Sequence, residues 1–498
     1  MSCMTRRAAA ALLLIVGALG SAPLPARAAA ATIDIVGRNS LGNRGMNAAL
    51  AIAGHCAWVG SRNDAPVQVL DIANPAAPSV VGALGGHRGS TPRELRALAS
   101  THLLVVMYYR LSSGLNGYDI YHWDSDCAAA TLVGHWDFGG GSPHEFFLWQ
   151  DPAQPSRVLL YTTMFATATL GLQVLDISVP SSPVLLGGWA VPAGYGHAPV
   201  HSVAVSEDGR SAYISLWTGG LVVADVADFA AGRAGPMVRP LTPAGSAYRT
   251  PPGNVHSAVP LEGGTRVLVT DERYPAPFGA GCPFGPAHVV DLRDPAHPVV
   301  VAILAVPEND PVACAAAPRG TWTSHNPTLT AHLAFITWYS AGLQVFDLTE
   351  PTQPLHLAEL RPSGGSPAQR DLQLGVTDSL AWSYPVIFGG LVYIADINQG
   401  LLVLRYSGPH QDEVTASAFA EGNSNVRRTE ATAAVALPSA PAHPAPTGRA
   451  ATAAATAGAR FGDAGEGGRL VTALVVLFGA LGLAAAAAVA VARRRHRV

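Results

Sequence analysis

The sequence predicts an all-β fold, a seven-bladed β-propeller closed by its own N-terminal strand, and three observations carry that prediction. A phrase recurs along the chain: PVQVLDIANPAAPSVVG at 66–82, GLQVLDISVPSSPVLLG at 171–187 and GLQVFDLTEPTQPLHLA at 342–358. Looser copies fill the intervals at a spacing of about 50 residues, which belongs to repeat architectures. Each full unit reads as short apolar or alternating strands broken by polar turns, and four such strands make one propeller blade.

The elements follow in order. The segment 33–42, IDIVGRNSLG, resembles the outer-strand stretches SVVGALGG and VLLGGWAV and precedes a first inner strand near Asn47. Blade one carries the first full phrase, and blade two keeps only a strand and a turn in GYDIYHWDSDCAAATLVG (117–134). Blade three carries the second full phrase. Blade four reads as strands at 201–205, 212–217 and 221–226 around the turn SEDGR. Blade five holds AHVVDLRDPAHPVVVA (287–302) and blade six the third full phrase. Blade seven, GLLVLRYSG (400–408), stops after Tyr406 without an outer strand, which the N-terminal segment is expected to supply. A ring closed in this way exposes no strand edge. The aspartates that end the repeated strand, Asp71, Asp176, Asp291 and Asp347, are assigned to turn hydrogen bonding before the Pro-containing loop.

The repeated strand LQVLD, LQVFD and VQVLD resembles the LVIVD-repeat family over roughly residues 33–406. That resemblance implies a bacterial propeller and leaves its activity open.

The termini predict a compartment. Arg6 and Arg7, an apolar run at 8–19 and a small-residue exit at 26–28 form a secretory signal peptide over 1–28. The propeller spans 29–410, and 411–469 is an Ala/Pro/Thr-rich stalk expected to be disordered. The uncharged run 470–492 is long enough, at ~1.5 Å per residue, to cross a ~30 Å hydrocarbon core. The arginine-rich tail 493–498 holds that end in the cytoplasm. The expected product is a single-pass protein of a bacterial plasma membrane with the propeller outside. The chain contains no lysine, which excludes Schiff-base chemistry, and a net charge of −3 argues against a nucleic-acid partner.

Cys3 leaves with the signal peptide and four cysteines remain. Cys282 and Cys314 fall in two insertions on one face of blade five and are expected to pair; Cys56 and Cys127 share the opposite face of blades one and two and form the second candidate pair.

Aligning the units places a histidine ahead of the innermost strand in four consecutive blades: His144, His201, His256 and His325. Ser383 stands in the matching place of blade seven, Arg93 and Glu94 in blade two, and Asn47 in blade one. Innermost strands line the channel, so these side chains should converge near one mouth. Imidazoles suit copper, zinc or iron, and Glu145, Asp271 and Glu272 stand beside them as carboxylate partners. A structural ring of hydrogen bonds around a water-filled channel fits the same repeat. His197 lies on the same face. Loops at that face add Arg62, Asn63, Asp64, Tyr109, Arg110, Trp217, Arg273, Tyr274, Trp338, Tyr339, Asp396 and Asn398, with half of the tryptophans expected between blades instead. Ser-His pairing within HSVAV or HSAVP is not expected, because adjacent residues of a strand face opposite ways.

There is no GxSxG, HExxH, Walker loop or helix-opening GxGxxG. The sequence therefore favours a binding module, holding a protein, glycan or small molecule at a His-lined mouth that carries a metal ion, over an enzyme. The alternative is a copper-dependent oxidase similar in architecture to the selenium-binding and methanethiol oxidase propellers, whose cysteine signature is not matched here. A purely structural envelope protein is the third reading, in which each histidine is dispensable.

Overall fold

The computed structural model describes residues 31–165, 171–250 and 253–416. The expected signal peptide, the rest of the stalk, the membrane segment and the basic tail lie outside the described residues. Among those described, no helix is long and apolar enough to cross a membrane.

Seven four-stranded antiparallel sheets make up the propeller. Six of them are built from four strands in chain order, beginning with Asn47–Ala53, Ser90–Leu98, Pro143–Gln150, Ser202–Val205, Asn254–Leu261 and Pro327–Leu329. The seventh runs Val386–Phe388, Leu391–Asp396 and Gly400–Ser407, and Thr32–Asn39 pairs antiparallel along Gly400–Ser407. Across that junction Leu50, Ile52 and Val59 of blade one pack with Val386, Tyr393 and Val403 of blade seven.

The recurring phrase has a mechanical basis. Asp71, Asp176, Asp291 and Asp347 each accept a hydrogen bond from the backbone N–H two residues on, at 2.8–2.9 Å, which turns the chain into the Pro-containing loop. A bulge then interrupts the outer pairing, at Val69/Leu70, Ile120/Tyr121, Val174/Leu175, Val289/Val290 and Val345/Phe346. The glycine beside such a bulge leaves room for the next blade's loop. A Cβ on Gly134 would lie 1.8 Å from the Pro180 carbonyl oxygen, and one on Gly37 would lie 2.1 Å from that of Pro75. Gly134→Ala is therefore expected to cost about 1–3 kcal/mol in a denaturation midpoint. Gly140, around which a Cβ would meet nothing within 4 Å, is the control and should change stability by less than about 0.5 kcal/mol when replaced by alanine.

Both disulfides join the expected partners. Cys56 pairs with Cys127 and Cys282 with Cys314, at Cα separations of 5.3 and 5.9 Å.

One boundary moves. Residues 411–416, read as the start of the stalk, form a short helix, Gln411–Ala416. The compositional reading missed two tertiary anchors. Val414 is buried, and the Glu413 carboxylate accepts from Thr330 Oγ1 at 2.6 Å and from the His332 N–H at 2.9 Å.

Candidate metal centre

Four of the seven innermost strands open with a local irregularity, and several polar side chains of the centre come from it. Bulges fall at Asn47/Leu50, Pro92/Glu94, Pro143/Phe146 and Val255/Ser257, so Arg93, His144, Glu145 and His256 sit where the regular ladder is broken. His201 and His325 lie just ahead of Ser202–Val205 and Pro327–Leu329. A bulge re-aims side chains out of strict alternation. That overturns one expectation: His256 Nδ1 lies 2.8 Å from Ser257 Oγ, a Ser-His pair that a regular strand would forbid.

The four imidazoles form an arc, with ring centroids 4.3 Å apart from His144 to His201, 4.2 Å from His201 to His256 and 4.1 Å from His256 to His325. Together with Arg93, Glu94, Glu145, Glu272, Tyr274 and Trp382 they line one cavity. The Glu272 carboxylate lies at its centre: His201 Nε2, His256 Nε2 and His325 Nε2 stand 3.8, 3.9 and 3.8 Å from its oxygens. Glu145 Oε1 is a further 3.8 Å from His256 Nε2. A tetrahedral site with ~2.1 Å bonds has ligand edges of about 3.4 Å, so these nitrogen–oxygen edges are a few tenths of an ångström too long, and His201 and His325, which fall in separate groups of ligand atoms, would also have to draw together around one ion.

In two of the rings the second nitrogen meets a backbone carbonyl. His201 Nδ1 faces the His256 carbonyl at 3.2 Å and His325 Nδ1 faces the Trp382 carbonyl at 2.8 Å. A carbonyl only accepts, so both Nδ1 atoms carry the proton and both Nε2 lone pairs face the cavity. Metal-binding histidines are oriented in this way. His201 Nε2 then accepts from His144 Nε2–H at 2.9 Å, so in the metal-free centre His144 holds the lone pair that His201 would give to an ion, and His144 Nδ1 is buried without a hydrogen-bond partner among the described residues. Two groups of ligand atoms result, Glu145/His201/His256 and His256/Glu272/His325, and His144 belongs to neither.

Burial governs the protonation of the metal-free centre. It pushes the His201 imidazole down to about 3 and the other three well below their usual range. Burial, then the charge of Glu94, pushes Glu145 up to about 8 against the pull of Arg96. Burial likewise raises Glu272, opposed by hydrogen bonds from Tyr339 and Tyr274, and pushes Asp271 up to about 8. Lowered histidines cost stability as pH falls below 6.5, because only the unfolded chain takes up protons. Raised carboxyls cost stability as pH climbs from about 4.5 to 8, because only the unfolded chain loses them. Melting of the chelated protein is thus expected to peak near pH 6.5 and to weaken toward pH 8 by up to about 1.4 kcal/mol per pH unit for each raised carboxyl. A bound metal ion keeps its own carboxylate ligands ionised and should reduce that alkaline decline, leaving the part due to Asp271.

The remaining candidates are distributed unevenly. Trp217 stacks on His201 at 4.7 Å, and Tyr339 donates to Glu272. Asp271 lies behind the centre, where its carboxylate receives the Asn254 N–H. Arg93 lies over the Trp382 and Tyr109 rings at 5.8 and 5.9 Å. The neighbouring charges are taken, Glu94 by Arg96 at 2.9 Å and Arg62 by Asp371 at 2.7 Å. Ser383 does not reach the centre: its Oγ accepts the Ala395 N–H at 2.8 Å within blade seven. Trp338 is fully buried in an apolar cluster with Phe346 and donates to the Trp322 carbonyl, because the chain beyond Leu333–Thr337 turns back on itself there. His197 stays exposed on its loop at φ 54°. Trp382 and Tyr384 were not foreseen. Trp382 acts through its carbonyl, for which no sequence signal exists, and Tyr384 donates to Glu145 Oε2 at 3.1 Å from one position beyond Ser383.

The LVIVD repeat family model matches residues 44–84, 166–190 and 198–231, within blades one, three and four. The protein is a seven-bladed propeller carrying LVIVD repeats. No curated protein matches its sequence. Among solved structures it is similar to Sqt1 of Chaetomium thermophilum, with 16% identity, TM-score 0.48 and coverage of 76% of this chain and 99% of that one. The Cps50 (Swd1) β-propeller domain of Myceliophteria thermophila aligns with 12% identity, TM-score 0.46 and coverage of 73% and 97%. A protein from Lactobacillus plantarum aligns with 12% identity, TM-score 0.44 and coverage of 63% and 86%.

Proposed function

We propose that this LVIVD-repeat propeller is a metal-dependent binding module. It holds one copper, zinc or iron ion with His201, His256, His325 and Glu272, and Glu145 stands at the ion's edge. The observation that carries the reading is the orientation of His201 and His325: each gives Nδ1–H to a backbone carbonyl and turns Nε2 toward Glu272. Three Nε2 atoms gathered 3.8–3.9 Å from one carboxylate form the kind of N/O donor set that a transition-metal ion takes.

Arg93 supplies the ligand side. Its guanidinium borders the same cavity and, among the described residues, has no carboxylate within ion-pair distance, so a small anionic ligand, a carboxylate or an oxyanion, would meet both the ion and Arg93. In this reading the propeller stands outside a bacterial plasma membrane on the 470–492 anchor, a setting in which its two disulfides persist. The copper-oxidase alternative gains from three ring nitrogens around one point, and it additionally requires turnover. Elemental analysis of the purified protein tests the proposal. Near one equivalent of a transition metal at the central site supports it, and none after reloading with each ion sinks it.

A further inference from the structure

A second cluster of ligand atoms is separate from the central arc. His332, His410 and Glu413 bring ligand atoms within 4.8 Å of one another where the chain leaves the propeller. His332 belongs to the turn between Pro327–Leu329 and Leu333–Thr337, and Glu413 belongs to the closing helix Gln411–Ala416. The two imidazoles stack at 4.6 Å, and both turn Nδ1 to the same atom, Glu413 Oε1. His410 stands 3.5 Å from that oxygen, while Glu413 Oε2 is occupied by Thr330 and the His332 N–H.

The outer side of His410 determines what its inner side can do. His410 Nε2 lies 3.0 Å from Thr349 Oγ1 and 3.7 Å from Asp347 Oδ2. A ring proton on Nε2 is stabilised by this hydroxyl and carboxylate, which leaves the Nδ1 lone pair aimed at Glu413 Oε1. A carboxylate behind the far nitrogen is the arrangement that orients histidine toward a metal ion, and an ion here would replace the proton that His332 Nδ1 shares with Glu413 Oε1. His410 also holds φ at 57°, a left-handed conformation uncommon outside glycine, in presenting its ring here. All three groups are partly open to solvent, so an ion can enter and keep water ligands.

We propose that His332, His410 and Glu413 form a peripheral zinc-type site that clamps the closing helix to blade six. Two imidazole nitrogens, one carboxylate oxygen and water make a ligand set that suits zinc. The ion would tie residues 410–413 to the turn at 330–332 and so regulate how firmly the end of the propeller is held before the C-terminal segment begins.

The test is zinc titration of the whole purified protein, read by calorimetry and by hydrogen exchange across 408–416. Wild type should show a zinc equivalent that slows exchange of 408–416 at least 10-fold. Glu413→Gln and His332→Ala should each lose that equivalent and the protection. Substitution of the central histidines His201 and His325 should leave both intact, so failure of this proposal and failure of the central site are separable. A zinc equivalent that persists in both peripheral variants, or exchange across 408–416 that responds to pH and not to zinc, overturns the clamp.

Discussion

Replacing His201, His256 and His325 together by alanine is expected to empty the central site, whereas His144→Ala is expected to leave it filled with affinity undiminished. The difference follows from the geometry. The three ligands direct Nε2 at Glu272 from 3.8–3.9 Å, while His144 reaches only the nitrogen of His201. His144 Nε2–H engages the same His201 lone pair that would ligate, so its loss removes a competitor and should not weaken metal binding, whereas loss of three of four ligands leaves no site. Glu272→Gln removes the charge but keeps an acceptor for Tyr339, so it should fold normally and bind metal far less well. Bound metal at 1,000 times its dissociation constant stabilises the fold by about 4 kcal/mol, which thermal melts with and without chelator would read. Arg93→Ala should keep the metal and lose the response of its spectrum to added small anions. Metal content unchanged in the triple variant would refute the assignment.

The parts of this molecule legible in its sequence are those set by local chemistry that repeats. Asp71, Asp176, Asp291 and Asp347 make the same turn because each needs only the backbone two residues away. The four histidines could be aligned because the repeat puts them at one position, and the cysteine partners because turns of a blade fall on known faces. Other features depend on geometry that leaves no compositional trace. The bulge at Val255/Ser257 turns a forbidden Ser-His pair into a 2.8 Å contact, and the one at Pro143/Phe146 spans both His144 and Glu145. The acceptor that orients His325 is a backbone carbonyl, identical in every residue type. Trp338 and Trp217 each follow the second strand of a blade and looked equivalent, yet one is core and the other stacks on His201.

Removing the Cys282–Cys314 disulfide should lower stability and weaken metal binding together, whereas removing Cys56–Cys127 should lower stability alone. The loops closed span 32 and 71 residues, and the chain-entropy model gives about 4 kcal/mol for either. The functional consequences differ because of what each bond holds. Cys56 and Cys127 join blade one to blade two amid Trp58 and Trp123, with Cys56 opposite Ala53 at the end of the innermost strand remote from its bulge. Cys282 instead lies in the excursion between Arg266–Glu272 and Ala287–Asp291, so the bond secures the loop that begins at Glu272 itself. Tyr274 on that loop hydrogen-bonds Glu272, and Gly285 accepts the Ser324 N–H beside His325. Freeing the loop releases the supports of the central carboxylate and of one imidazole at once. The paired Cys282→Ala/Cys314→Ala variant should thus show both a lower denaturation midpoint and a metal affinity reduced by about 10-fold or more. Equal metal affinity in the two disulfide variants would mean that Glu272 is held by its strand alone.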